Sequence, residues 1–318
     1  MPEQAPILGV YLSETADLDA LYGTALRRCA SDVVLRHPGE ISDPAKVRFA
    51  ICWQPGADAF APYLNLGLAM SVAAGVDALL AHPGLPDHAA VARVRDPHQA
   101  DLMAGYAVHE VLHHERRFAD MARNAAAAHW APLAMRAPAS VQVAVLGHGT
   151  MGRAVVRGLR AVGFAVRVAC RSAPQDQLPG VSYLSGPDAV LRAAEGADYL
   201  VNVLPLTAKT ENLLNGALFA RLSPGAVLVQ IGRGEHLCEA DMMAALDAGQ
   251  LAAATLDVFR EEPLPPSHRF WQDARLRITP HVASDSLPEV VARQVIDTAR
   301  ALRDGQPMAY AVDRARGY

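Results

Sequence analysis

The chain has 318 residues, enough for two domains at about 150 residues each. Half of it is hydrophobic (51%) and 19% is charged, a balance that fills globular cores and excludes a disordered or fibrous chain. A net charge of −4 gives no reason to expect a nucleic acid as partner, and no apolar run approaches the roughly 20 residues that cross a bilayer.

The opening stretch MPEQAPILGVYLS lacks the charged start, long apolar run and cleavage site of a signal peptide. Within it ILGVYL (7–12) predicts a strand, and TADLDALYGTALRRC after it a helix. DVVLR, VRFAIC and LGLAMSV are further strand candidates, so the first part reads as a parallel sheet covered by helices. From Pro97 to His129 the pattern is helical for nearly its whole length, and APLAMRAPAS follows as a linker. A cleaner β-α series then runs through VQVAVLG, AVRVAC, ADYLVNVL, GAVLVQIG, LAAATLDVF and LRITP, and a last helix is expected over PEVVARQVIDTARALRDG. Cys29, Cys52, Cys170 and Cys238 show no metal-site or disulfide spacing and are expected to be reduced thiols of a cytoplasmic protein.

The strand VQVAVLG ends in Gly147-His148-Gly149-Thr150-Met151-Gly152, and a helix and a second strand follow on schedule. In a dinucleotide fingerprint the first glycine permits the tight turn. The second lets the backbone approach a pyrophosphate, and the third packs helix on strand. The strand before and the helix after make this far more specific than an isolated G-x-G-x-x-G. Eighteen residues beyond Gly152, where NAD-binding proteins place a carboxylate for the ribose, stands Cys170, followed by Arg171 and Ser172. A guanidinium and a hydroxyl suit a 2′-phosphate, so NADP(H) is the expected cofactor, with NAD(H) possible. Because the fingerprint starts at residue 147, a domain of its own precedes it. The fold class expected is α/β, two Rossmann-like domains with parallel sheets. A dinucleotide-binding domain (102–286) would be inserted in a split, flavodoxin-like substrate domain (1–101 and 287–318).

Four further pieces, LPLTAKT, IGRGEHLCEADMMAALDAGQL, LDVFREEPLP and ITPHVA, follow in order. Together with the fingerprint they resemble the D-2-hydroxyacid dehydrogenases, and most of all the glyoxylate/hydroxypyruvate reductase branch of the bacterial type A kind. The resemblance implies that Arg233 binds the carboxylate and 2-carbonyl of a 2-keto acid, that His281 is the acid/base group, and that Glu262 is its carboxylate partner. Such a fork suits a planar guanidinium, and a carboxylate beside an imidazole favours the protonated form. Taken alone each of the three has an ordinary structural reading; in this order at strand ends of an open α/β sheet they read as a site. The resemblance also implies cofactor contacts at Leu204, Pro205, Thr210, Ile231, Gly232 and Asp257. It implies substrate contacts at Trp53 and at the amides of Ala74, Gly75 and Val76 in SVAAGVDAL, where Ala73 stands in place of the usual glycine. The reaction implied is NADPH-dependent reduction of a small 2-keto acid to the D-2-hydroxy acid, the handedness coming from the resemblance alone. Reductases of bulkier keto acids such as phenylpyruvate share these motifs, and so do cofactor-sensing corepressors of the same fold.

HEVLH (109–113) matches the H-E-x-x-H pattern of zinc hydrolases, yet a third ligand is missing: Arg116 stands three beyond His113, and only Asp120 follows in a basic stretch. Leu102, Tyr106, Val108, Val111 and Leu112 recur at roughly helical spacing, which favours packing over metal. The resemblance places this helix between the domains and against a partner subunit, so a homodimer is expected.

Overall fold

The structure is a computed structural model and describes residues 6–314. The chain forms two compact units. One combines the residues up to His98 with those from Asp285 onward, and the other is Gln99–Ser284. Among the described residues the helices are α1 (Thr24–Cys29), α2 (Asp77–Leu80), α3 (Pro97–Glu115), α4 (Phe118–Ala126), α5 (Thr150–Val162), α6 (Ala189–Ala194), α7 (Gly216–Phe219), α8 (Glu239–Asp247) and α9 (Pro288–Arg303). None is long and apolar enough to cross a membrane.

The first unit carries strands β1 (Ile7–Ser13), β2 (Val33–Arg36), β3 (Val47–Trp53), β4 (Leu68–Ser71) and β5 (Ala90–Arg93). They pair in parallel in the order β2-β1-β3-β4-β5, that of flavodoxin-type sheets. Cover on both faces, from α1 and α9 on one and from Phe60, Tyr63, Leu66 and α2 on the other, explains why β3 reads as a nearly continuous apolar run. The returning helix α9 buries Val291, Ala292, Val295, Ile296 and Ala299 on one stripe, at about 1.5–3 kcal/mol for each large side chain. Its last turn is held by Arg300 and Arg303, which reach Asp32 at 2.6 and 2.8 Å.

The second unit holds β6 (Gln142–Leu146), β7 (Ala165–Ala169), β8 (Val181–Leu184), β9 (Tyr199–Asn202), β10 (Ala226–Gln230), β11 (Leu251–Leu256) and β12 (Leu276–Ile278). These are also parallel, in the order β12-β11-β10-β9-β6-β7-β8. The strand order reverses between β6 and β9, the switch point where open α/β sheets bind ligands beyond their carboxyl ends. The α/β class and the parallel sheets are as the sequence predicts. Two strands, β5 and β8, escape the sequence reading: AVAR and VSYL are four residues long, and alanine and serine carry little strand preference.

A further departure concerns the helix expected over 97–129. It breaks at Arg117, whose left-handed backbone (φ 52°) ends α3 and starts α4. An ion pair from Arg117 to Asp120 at 2.5 Å offsets part of that unfavourable conformation. Val111 is fully buried as expected, whereas Leu102 is 49% exposed. What fixes α3 is charge as much as apolar packing. Glu110, only 1% exposed, accepts hydrogen bonds from Arg277 on β12 (2.8 Å) and from Thr255 on β11 (2.9 Å). His114 meets the same threonine at 2.9 Å, and burial depresses its pKa to about 4. The next residue, Glu115, accepts from Tyr199 and, through both oxygens, from Arg136 in the linker.

Replacing Glu110 by alanine would leave Arg277 and Thr255 without their acceptor. We expect Glu110→Ala to cost about 3 kcal/mol, the lower end for a broken buried pair because Arg277 keeps some solvent. Glu110→Gln should lose less. Urea unfolding midpoints check this; an unchanged midpoint for Glu110→Ala contradicts the anchoring role.

Candidate active site

The glycine turn after β6 is shaped by its backbone. Gly147 has φ +105°, which side chains rarely adopt, and a Cβ there would also meet the Val203 carbonyl at 3.2 Å. A Cβ on Gly152 would strike the Gly147 carbonyl oxygen at 2.2 Å, so only glycine lets α5 start this close to β6. Gly149 differs. It is exposed, and a Cβ there would meet nothing within 4 Å, so the space beside Gly149 at the start of α5 is open to a phosphate. Thr150 and Met151 open α5 beside it, and Arg171 and Ser172 lie exposed just past β7. The residues present therefore fit a dinucleotide.

Across the switch point a fully buried polar cluster sets the loop after β10. Asn202, the last residue of β9, donates to Gln230 Oε1 at 2.8 Å and meets His236 Nδ1 at 2.9 Å. The Arg233 N–H donates to that same Nδ1 at 3.1 Å, and the Arg233 carbonyl accepts from Gln230 Nε2 at 2.7 Å. Nδ1 of His236 is thus an acceptor, and Nε2, facing the Pro205 carbonyl at 3.3 Å, carries the proton. The backbone of Arg233 is held on both sides, with Ile231 buried and Gly232 packed against Asn202 and His236. Gly234 is obligatory here: a Cβ would lie 1.9 Å from the backbone carbon of Phe259. The loop Leu204–Thr210 is closed by Thr210, whose hydroxyl donates to the Pro205 carbonyl at 2.8 Å.

His281 and Glu262 come together from separate loops, Nδ1 to Oε2 at 2.8 Å. The other carboxylate oxygen of Glu262 accepts the Phe259 N–H at 2.9 Å. Burial pushes the Glu262 carboxyl up, but the hydrogen bond and charge of His281, the Phe259 amide and the charge of Arg233 together hold it below its ordinary value. Its contribution to stability is therefore full above the usual carboxylate range and disappears as pH falls through the lowered folded value. His281 has a left-handed backbone (φ 55°). Its N–H donates to the Asp257 and Thr279 carbonyls at 2.9 and 3.1 Å. Asp257, 1% exposed, accepts from the Val282 and Ala283 amides, both at 2.9 Å, and from the Thr279 hydroxyl at 2.6 Å.

The second unit thus gathers Arg233, Glu262, His281, Asp257, the glycine turn and the Leu204–Thr210 loop at the carboxyl ends of its strands. Trp53 and Ala74–Val76 lie in the first unit, at the ends of β3 and β4. There three successive carbonyls are pinned: Ala73 by the Val94 N–H (3.2 Å), Ala74 by Arg93 Nη1 (2.9 Å), and Gly75 by the Ser71 hydroxyl (2.8 Å). In a trans peptide the N–H points opposite to the C=O, so the amides of Ala74, Gly75 and Val76 turn away from these partners. Such a run of outward amides can hold a small anion. Sequence reasoning missed Arg93, Ser71, Asn202, Gln230 and His236. A signal existed for two: Asn202 and Gln230 are polar residues closing otherwise apolar strands.

Residues 108–283 match the sequence profile of the D-isomer specific 2-hydroxyacid dehydrogenases, NAD binding domain. The glyoxylate/hydroxypyruvate reductase A of Serratia proteamaculans is 38% identical over 303 residues, 94% of this chain and 95% of that protein. Its counterpart from Yersinia enterocolitica is also 38% identical, over 87% of this chain and 89% of its own length. Among solved structures, the NADPH-dependent glyoxylate/hydroxypyruvate reductase of Sinorhizobium meliloti, in complex with NADP and sulfate, superposes with a TM-score of 0.89 at 30% identity. That match covers 99% of this chain and all of that one. A D-isomer specific 2-hydroxyacid dehydrogenase from Xanthobacter autotrophicus Py2, in complex with NADPH and MES, gives a TM-score of 0.88 at 35% identity with the same coverage. Motifs, sheet order and relatives agree, and the chain belongs to the D-isomer specific 2-hydroxyacid dehydrogenase family.

Proposed function

We propose that this protein reduces a small 2-keto acid, of the glyoxylate or hydroxypyruvate type, to the D-2-hydroxy acid with NADPH. The observation that carries the reading is the His281–Glu262 pair, joined at 2.8 Å on the same sheet edge as Arg233 and the glycine turn. The dinucleotide, when bound, supplies the hydride that the 2-carbonyl carbon receives. Gly147, Gly149, Thr150, Met151 and Gly152 hold its phosphates, with Arg171 and Ser172 on the 2′-phosphate. Leu204, Pro205, Thr210, Ile231, Gly232 and Asp257 line its path. Arg233 binds the substrate carboxylate and draws charge toward the carbonyl oxygen. Glu262 faces Nδ1, so the proton handed to that oxygen leaves from Nε2 of His281, and solvent restores it. Trp53 and the amides of Ala74, Gly75 and Val76 are assigned to the substrate as well. Reductase-branch relatives and the NADP- and NADPH-bound neighbours support substrate class and cofactor.

The same reading places the protein in the cytoplasm, where its four unpaired cysteines stay reduced, and makes it a homodimer. The large apolar side chains Leu102, Phe118, Trp130 and Met135 stand exposed along α3, α4 and the segment after them, and suit a second copy. Sedimentation equilibrium should return about twice the mass of one chain; a monomer at micromolar concentration removes this part.

His281→Ala is expected to lower kcat by about 10²- to 10⁴-fold while NADPH still binds, as followed by nicotinamide fluorescence. Undiminished turnover would take the histidine out of the mechanism. Arg171→Ala should raise the Kd for NADPH far more than for NADH, because only the former has a 2′-phosphate to lose. Equal losses for the two cofactors contradict the NADP(H) assignment.

A further inference from the structure

Asp257 is not alone behind the His281 loop. The Thr279 hydroxyl donates to Asp257 Oδ1 at 2.6 Å, and the Tyr106 hydroxyl lies 2.6 Å from that same threonine oxygen. A threonine hydroxyl has one proton. A carboxylate can only accept, so the proton of Thr279 belongs to Asp257 and Tyr106 must donate to Thr279. The result is a directed chain, Tyr106 to Thr279 to Asp257, that ends on a carboxylate 1% exposed.

We propose that Tyr106 and Thr279 are positioning residues for the reaction, a hydroxyl relay that holds Asp257 in the state needed to fix the His281 loop. The proposal rests on the reading of His281 as proton donor and deepens it. His281 sits at φ 55°, a backbone conformation unfavourable for an L-residue that persists only where the surroundings impose it. The surroundings here are Asp257 and Thr279. The carboxylate takes the amides of the next two residues, Val282 and Ala283, and the backbone carbonyls of Asp257 and Thr279 take the amide of His281. These bonds are strongest when Asp257 is ionised, since charged acceptors bind amides more tightly than neutral ones.

Ionisation of Asp257 is contested. Burial pushes its carboxyl up, and the Thr279 hydroxyl, the two amides and His281 only partly reverse this, leaving a net rise. Each donor to Asp257 therefore counts. Burial likewise pushes the Tyr106 phenol well up, so it stays a donor throughout the useful pH range. The charged and titratable groups bearing on the cluster are His281 from its own loop, Tyr106 and Glu110 from α3, and Arg277 from β12. Glu110, one helical turn beyond Tyr106, ties α3 to β11 and β12 and so delivers the phenol to Thr279.

The test is the pH profile of kcat for glyoxylate reduction by NADPH, with the full-length protein. Tyr106→Phe removes one oxygen and should lower kcat about three- to tenfold on the acid side, by the loss of one hydrogen bond serving a charged group. The acid limb should move to higher pH, with the KM for NADPH little changed. Thr279→Val should do more, and Thr279→Ser, which keeps the hydroxyl, should bring the limb back. A Tyr106→Phe profile that overlays the wild type overturns the relay, as does a Thr279→Ser enzyme no better than Thr279→Val. If Thr279→Val does not fold, Tyr106→Phe alone decides. His281→Ala in the same assay separates the two levels. Inactive His281→Ala with an unshifted Tyr106→Phe profile removes only the relay, whereas active His281→Ala removes the proton-donor reading and the relay with it.

Discussion

The buried carboxylate of Asp257 organises the end of this sheet. Taking a carboxylate out of water is costly unless several donors replace the lost hydration. Here those donors are the hydroxyl of Thr279 and two amides from the segment that carries His281. Satisfying the charge therefore folds the His281 loop. The same logic recurs one strand over. Asn202, Gln230 and His236, all buried, satisfy one another by gripping the backbone of Arg233. In both places the need to pair buried polar groups determines where a candidate site residue, His281 or Arg233, stands.

Glu110 extends this to the helix that leads into the unit. Its carboxylate, taken up by Arg277 and Thr255, sets α3 in register with β11 and β12. The H-E-x-x-H spacing arises because a helix makes any i, i+4 pair neighbours, and the glutamate within it faces the sheet while His109 stays more than half exposed. The pattern reports how the helix docks.

Much of this was legible in the sequence, for physical reasons that differ by residue. The glycine turn could be read because Gly147 and Gly152 answer steric demands that no other residue meets, one through its backbone and one through the close approach of α5 to β6, while Gly149 leaves open space. The α/β class followed from the alternation of apolar runs and helical patterns. The break at Arg117 was hidden because an arginine carries no mark of a left-handed backbone, unlike glycine. The short strands β5 and β8 were hidden because AVAR and VSYL are not carried by longer apolar runs, and their pairing with β4 and β7 supplies what propensity does not. Arg93 and Ser71 escaped because their task, pinning the carbonyls of Ala74 and Gly75, exists only once β4 and β5 lie side by side.

The group arranged around Arg233, Glu262 and His281 is proposed to reduce small 2-keto acids with NADPH. The most direct measurement is NADPH oxidation at 340 nm by the purified protein, across a panel running from glyoxylate and hydroxypyruvate to pyruvate and phenylpyruvate. The highest kcat/KM is expected for the two smallest polar acids, and a much lower value when NADH replaces NADPH. Oxidation with none of the panel, or a clear preference for phenylpyruvate, would contradict it.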